Sequence, residues 1–224
     1  VGSPLTKFFF LIKETDIVSS LTFAVIFELF VYANFCGLSL LIYGVFGVLG
    51  FRIPLNFRQP FSSSNIIEFW KGWHTSLSQV LKVLFYNPIR RKYSLLCTLL
   101  VVYLASAMWH GVTFNFLVWG LFHAFFFWLS IKILKQKNSL LPLLLLPFII
   151  VIGRLIFADS DTARLLDKLK ISFDGFGVID ALLTVPMHSL FSLLFGILIV
   201  ACEFIFKNSK IMQKRNYKFL RREK

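Results

Sequence analysis

Apolar and polar positions in this chain fall into long blocks. Residues 17–51 are almost wholly apolar, with Glu28 and Asn34 as the strongly polar interior positions. At ~20 residues per crossing, that block predicts two close-packed membrane spans broken around residues 34–37. Gly37, Gly44, Gly47 and Gly50 would allow close helix approach there. Further span-length apolar stretches lie at residues 94–109, 114–134, 140–157 and 186–206. Between the first block and these stretches the pattern changes. Over residues 66–85, Ile66, Trp70, Trp73, Leu77, Val80, Leu81 and Leu84 share one helical arc. Glu68, Lys71, Thr75, Ser78, Gln79 and Lys82 share the opposite arc. That division predicts one amphipathic helix lying at a membrane interface. A serine and asparagine run caps its start, and the proline and basic cluster of residues 87–93 ends it. His74 falls inside the apolar arc.

The predicted fold class is all-α, a multi-pass transmembrane helical bundle with an amphipathic interfacial helix. Composition agrees: 57% of the 224 residues are hydrophobic and 16% charged, against ~25% charged in soluble domains. The net charge of +13 sits at the ends of apolar runs. That is the placement of the positive-inside rule, not the basic patch of a nucleic-acid binder. Residues 52–92 carry seven Lys/Arg and one Glu, which places them on the cytoplasmic side. Lys132, Lys135 and Lys137 then fall inside, the aspartate-rich loop of residues 159–180 outside, and the basic tail inside. The domain reading is a membrane domain over residues 1–206 and a basic cytoplasmic tail over residues 207–224. The expected location is the inner or plasma membrane. No cleavable signal peptide is read near the start. The three cysteines lie far apart and form no metal or disulfide pattern.

Candidate chemistry concentrates in residues 69–123, which hold three of the four histidines and four of the five tryptophans. His110 stands in MWHG where a span ends, and neutral imidazole suits general-base work near neutral pH. It could deprotonate a hydroxyl attacking an acyl thioester. The alternative is an interfacial histidine beside a belt tryptophan, Trp109. His123 shares a helical stripe with Asn115 and Trp119 at spacings of four, a stripe expected to face the bundle interior. It either orients His110 or forms structural hydrogen bonds. His188 reads as interfacial. The absence of G-x-S-x-G, P-loop, Rossmann and H-E-x-x-H patterns removes the commonest soluble enzyme classes. Direct base-catalysed transfer, with no metal and no tightly bound cofactor, is the simplest mechanism. On the charge-derived topology His74 and His110 start on opposite sides. They meet only if the interfacial helix is drawn into the bundle or the WHG turn dips inward.

FWKGWHTSLS followed by MWHGVTFNFLVWGLFHA closely resembles the membrane-bound O-acyltransferase family, in its alginate O-acetylase-like branch. FVYANFCGLS, RIPLNFRQPF and RLIFADS fit the same resemblance, which spans roughly residues 20–170. It implies that His110 is catalytic and His74 the second site residue; the residues themselves suggest His123, Asn115, Trp109 and Trp73 in support. It also implies a tunnel fed by acetyl-CoA or another acyl thioester from the cytoplasm, a polysaccharide acceptor, and an extracytoplasmic acyltransferase- or esterase-like partner. Family members are longer, so the chain reads as their C-terminal portion. Where relatives continue with Trp-Leu-Arg-Asp-Tyr and a glycine pair, this chain has QVLKVLFYNPIRRK. A transporter with a histidine proton path and a non-catalytic assembly subunit are the competing readings.

Overall fold

The computed structural model describes residues 17–133, 140–158, 161–168 and 187–206, and among these there is no β-strand. The entry segment, Lys135, Lys137, most of the aspartate-rich loop, the basic tail and the His188 side chain lie outside the described residues.

The first apolar block forms one uninterrupted helix, α1, Ile17–Val48 (32 residues), where the pattern predicts two spans. Asn34 does not break it because its amide donates to the Phe30 carbonyl of the same helix at 2.7 Å. Among the described residues the expected close crossings at Gly37, Gly44 and Gly47 are not made either: nothing described lies within 4 Å of where a Cβ would stand. At 1.5 Å per residue α1 runs ~48 Å, longer than a ~30 Å hydrocarbon core. Its last third exposes Leu38, Leu41, Val45 and Val48. Apolar exposure of that kind suits lipid, because the helix satisfies its own backbone.

The later blocks form α5 (Leu95–His110), α6 (Phe114–Ile133), α7 (Leu141–Phe157) and α9 (Met187–Phe206). Among the described residues, Phe23–Val48 and Phe114–Ile133 are long and apolar enough to cross a bilayer; Leu95–His110, Leu141–Phe157 and Leu194–Phe206 are shorter apolar helices. Helix α5 packs on α6, α6 on α7, α7 on α1, and α1 on α9. A short α8, Thr162–Lys168, follows α7.

The amphipathic stretch departs most from its pattern. It breaks into α2 (Ile66–Gly72), α3 (Thr75–Leu81), a π-turn at Lys82–Tyr86, and α4 (Asn87–Arg90). Asn65 caps α2 as predicted, its Oδ1 accepting from the N–H groups of Ile67 and Glu68. Pro88 does not end the helical run. It sits in the first turn of α4, where its missing N–H costs nothing. Nor does the first part of the stretch, α2, lie on the surface. Ile66, Phe69 and Trp73 are buried in one cluster with Tyr32, Phe57, Leu146 and Ile149, and α2 contacts α6 and α7. Past the break the predicted arc dissolves, and Val80 and Leu84 are exposed. Bulky aromatic rings at Phe69 and Trp73 gain more by filling the bundle than a continuous arc gains at an interface.

Candidate functional site

The connector from α1 shapes the break at His74. Phe57 packs edge-on against Trp73 at 5.2 Å. The Arg58 N–H donates to the Gly72 carbonyl at 2.8 Å. A Cβ at Gly72 would stand 2.7 Å from the Arg58 carbonyl oxygen, so this approach needs glycine. Beyond the break, the Thr75 N–H donates to the Asn56 carbonyl at 2.9 Å and its hydroxyl to the Leu55 carbonyl at 2.7 Å. Asn56 Oδ1 accepts from the N–H and hydroxyl of Ser76. Between these clamps His74 adopts a left-handed backbone, φ 46° and ψ 58°. That geometry costs an L-residue ~1–2 kcal/mol and persists where surroundings over-determine it.

His74 is also the N-cap of α3. Its Nδ1 accepts from the Leu77 N–H at 3.4 Å. An accepting Nδ1 puts the imidazole proton on Nε2, leaving that nitrogen as a donor. Burial holds the His74 pKa below its ordinary value, which favours this neutral form.

His110 is the last residue of α5, and Gly111 caps the helix through its N–H to the Ala107 carbonyl at 3.1 Å. The His110 ring stands edge-on to Phe157 at 4.8 Å and to Trp119 at 6.0 Å. It is exposed along its remaining edge and makes no hydrogen bond among the described residues. Phe157 carries the Arg154 guanidinium at 5.3 Å, and that guanidinium lies 5.8 Å from Trp73, the neighbour of His74. The Arg154 guanidinium thus links Phe157, the ring beside His110, to Trp73, the chain neighbour of His74, in one aromatic and cationic patch. Helix α2 is drawn into the bundle, one of the two arrangements expected from sequence as a condition for the two histidines to meet.

The other sequence-derived residues separate by role. His123 is buried, stacked on Trp119 at 4.6 Å and edge-on to Trp70 at 5.2 Å. Its ring presses on Gly153, where a Cβ would overlap Cε1 and lie 2.9 Å from Nε2. Asn115 is buried as a tie. Its Oδ1 accepts from the hydroxyls of Thr113 (2.7 Å) and Thr162 (3.0 Å), and its amide donates to the Ile156 carbonyl (3.2 Å). It joins α6 to α7 and α8 and keeps Phe157 in place. Trp73 is buried at the break, whereas Trp109 is 74% exposed and makes no ring contact among the described residues.

Glu28 is singled out by sequence reasoning without its partner, and Glu203 is not singled out. The Arg154 Nε donates to Glu28 Oε2 in an ion pair joining α7 to α1. Glu203, buried on α9, accepts from the Tyr32 hydroxyl at Oε1 and from the Phe61 N–H at Oε2, the latter at 3.0 Å. The signal for both was available, since each is an ionisable residue inside an apolar segment. Among the described residues no group of three His, Cys, Asp or Glu is placed to hold a metal ion.

A helical bundle with lipid-suited surfaces and two histidines near a half-buried arginine defines a helical membrane protein with a polar site. The family model described as MBOAT, membrane-bound O-acyltransferase family, matches residues 8–166, and the chain belongs to that family. It is similar to a probable alginate O-acetylase, AlgI, of Pseudomonas putida: 36% identical over 105 residues, covering 45% of this chain and 21% of the relative. It is also 34% identical to the peptidoglycan O-acetyltransferase of Helicobacter pylori over 96 residues, 41% of this chain and 18% of that protein. With the teichoic acid D-alanyltransferase of Streptococcus thermophilus the figures are 30% over 127 residues, 51% and 30%. The chain thus spans less than a third of the length of these three relatives.

Proposed function

We propose that this chain carries the histidine site of a membrane acyltransferase that moves an acyl group, acetyl in the simplest case, from a thioester donor to a hydroxyl. The observation that carries this reading is the placement of His110 and His74, the two motif histidines, around the shared Trp73–Arg154–Phe157 patch. His110 has the free ring nitrogen a base needs. As the acceptor hydroxyl attacks the carbonyl carbon, its proton passes to His110. His74, held neutral with its proton on Nε2, donates a hydrogen bond to donor or acceptor and does not compete as base. His123 and Asn115 position this site: His123 fixes Trp119, and Asn115 holds the α7 end that carries Phe157.

The donor in this proposal is acetyl-CoA or another cytoplasmic acyl thioester, and the acceptor lies on an extracytoplasmic polysaccharide. A partner protein of esterase-like chemistry on the far face completes the transfer. The setting is the cell membrane, with several crossings and the basic tail in the cytoplasm. The relatives named above, an alginate O-acetylase, a peptidoglycan O-acetyltransferase and a teichoic acid D-alanyltransferase, support a transfer of this type. The test is His110→Ala in cells carrying the native gene. The acetyl content of the envelope polymer should fall to background while protein level in the membrane stays unchanged. Normal acetylation in that strain would remove His110 from the chemistry.

A further inference from the structure

Base catalysis by His110 leaves the Arg154–Glu28 pair without a task. An ion pair kept only to join two helices repays its desolvation when both partners are fully hydrogen-bonded. This one is half closed. Only the Arg154 Nε is engaged among the described residues, and the terminal guanidinium N–H groups donate to nothing there. Glu28 Oε1 is buried without a hydrogen-bond partner. The guanidinium is nevertheless held in place, with Phe27, Trp73 and Phe157 rings at 5.9, 5.8 and 5.3 Å. Phe157 is also the ring against which His110 stands at 4.8 Å. A planar cation, fixed by three rings, balanced from one side by a carboxylate and still holding spare N–H groups, is matched to an oxygen that gains negative charge.

We propose that Arg154 binds the carbonyl oxygen of the acyl thioester and stabilises the oxyanion formed beside His110, with Glu28 as the counter-ion that positions it. The assignment rests on the acyl-transfer reading. The acceptor oxygen forms a bond to the carbonyl carbon, its proton goes to His110, and the carbonyl electron pair moves onto the oxygen facing Arg154. Collapse re-forms the C=O bond and breaks the C–S bond. The departing thiolate takes the proton from His110 and leaves as thiol.

The test measures thiol release from acetyl-CoA by membranes containing the native gene product. The variants are Arg154→Met, Arg154→Lys and the double variant Glu28→Gln/Arg154→Met, with a thermal melt of each. Loss of one oxyanion donor costs about 10²–10³ in kcat, so Arg154→Met should fall by that factor with KM nearly unchanged. Arg154→Lys should retain an intermediate rate. The double variant removes the unpaired carboxylate and should recover the melting temperature without recovering kcat. Recovery of kcat in the double variant would mean the pair is only a structural tie and would overturn the proposal. A rate lost in His110→Ala but kept in Arg154→Met overturns this assignment alone. A rate that survives His110→Ala removes His110 from the chemistry, and with it the proposed function and this assignment of an oxyanion formed beside it.

Discussion

Gly153 and His123 occupy a space that fits one of them only if the other stays as it is. A methyl at position 153 would overlap Cε1 of His123, and His123 is boxed in by Trp119 and Trp70. Gly153→Ala should therefore destabilise the protein by ~1–3 kcal/mol, the usual cost of overpacking. In a His123→Ala background the same change should cost clearly less, since the clash partner is gone. Melting temperatures of the four proteins in detergent test this, and additive shifts would place the strain elsewhere. His74 supplies a second prediction at this scale. Burial depresses its folded pKa below the ordinary 6.5. Above pH 6.5 both folded and unfolded forms are neutral and nothing is lost. As pH falls below that value, the unfolded chain takes up a proton that the folded one resists, so stability declines until the lower folded pKa is reached. Protonation also removes the Nδ1 acceptor that caps α3. His74→Asn keeps a capping side chain and tolerates the left-handed backbone. It should flatten the acid-side decline in melting temperature, and an unchanged pH profile would contradict this.

At the scale of elements, the connector between α1 and α2 decides where the site forms. It is anchored twice, by the clamps around His74 and by Glu203 of α9 at the Phe61 N–H. Glu203→Ala leaves that N–H and the Tyr32 hydroxyl without their partner, at ~1–3 kcal/mol for each buried group. We expect a lowered melting temperature together with increased protease cleavage between α1 and α2. A melt as stable as wild type would show that the anchor is dispensable. These long-range ties explain what could be read in the sequence and what could not. Apolar blocks located the helices at Leu95–His110, Phe114–Ile133, Leu141–Phe157 and Met187–Phe206 closely. Asn65 was legible as a cap because its bonds are local. The break at His74 was not, because it is imposed by Leu55, Asn56 and Arg58 from another part of the chain. The partners of Glu28 and Glu203 lie 126 and 171 residues away, and helical spacing carries no information about such pairings. The continuity of α1 was missed because Asn34 satisfies itself within its own helix, which its residue type alone does not reveal.

At the scale of the whole molecule, α2 is drawn into a bundle of α1, α6 and α7, and this insertion sets Trp73, the neighbour of His74, against the Arg154 guanidinium that also faces the Phe157 ring beside His110. The family resemblance pointed to the two histidines, and packing supplies the arginine of the patch beside them. Charge along the chain proposes which side of the membrane each loop faces, while the site sits where α5, α7 and the connector meet. The central claim is that His110 is the base of an acyl transfer. Its most direct test is the rate of thiol release from acetyl-CoA, with the acceptor polymer present, by membranes bearing the native protein or His110→Ala at equal abundance. Loss of a positioned base costs about 10²–10⁴ in rate, so release by His110→Ala should drop by at least a hundredfold on that scale. Equal release by the two membranes would contradict the claim.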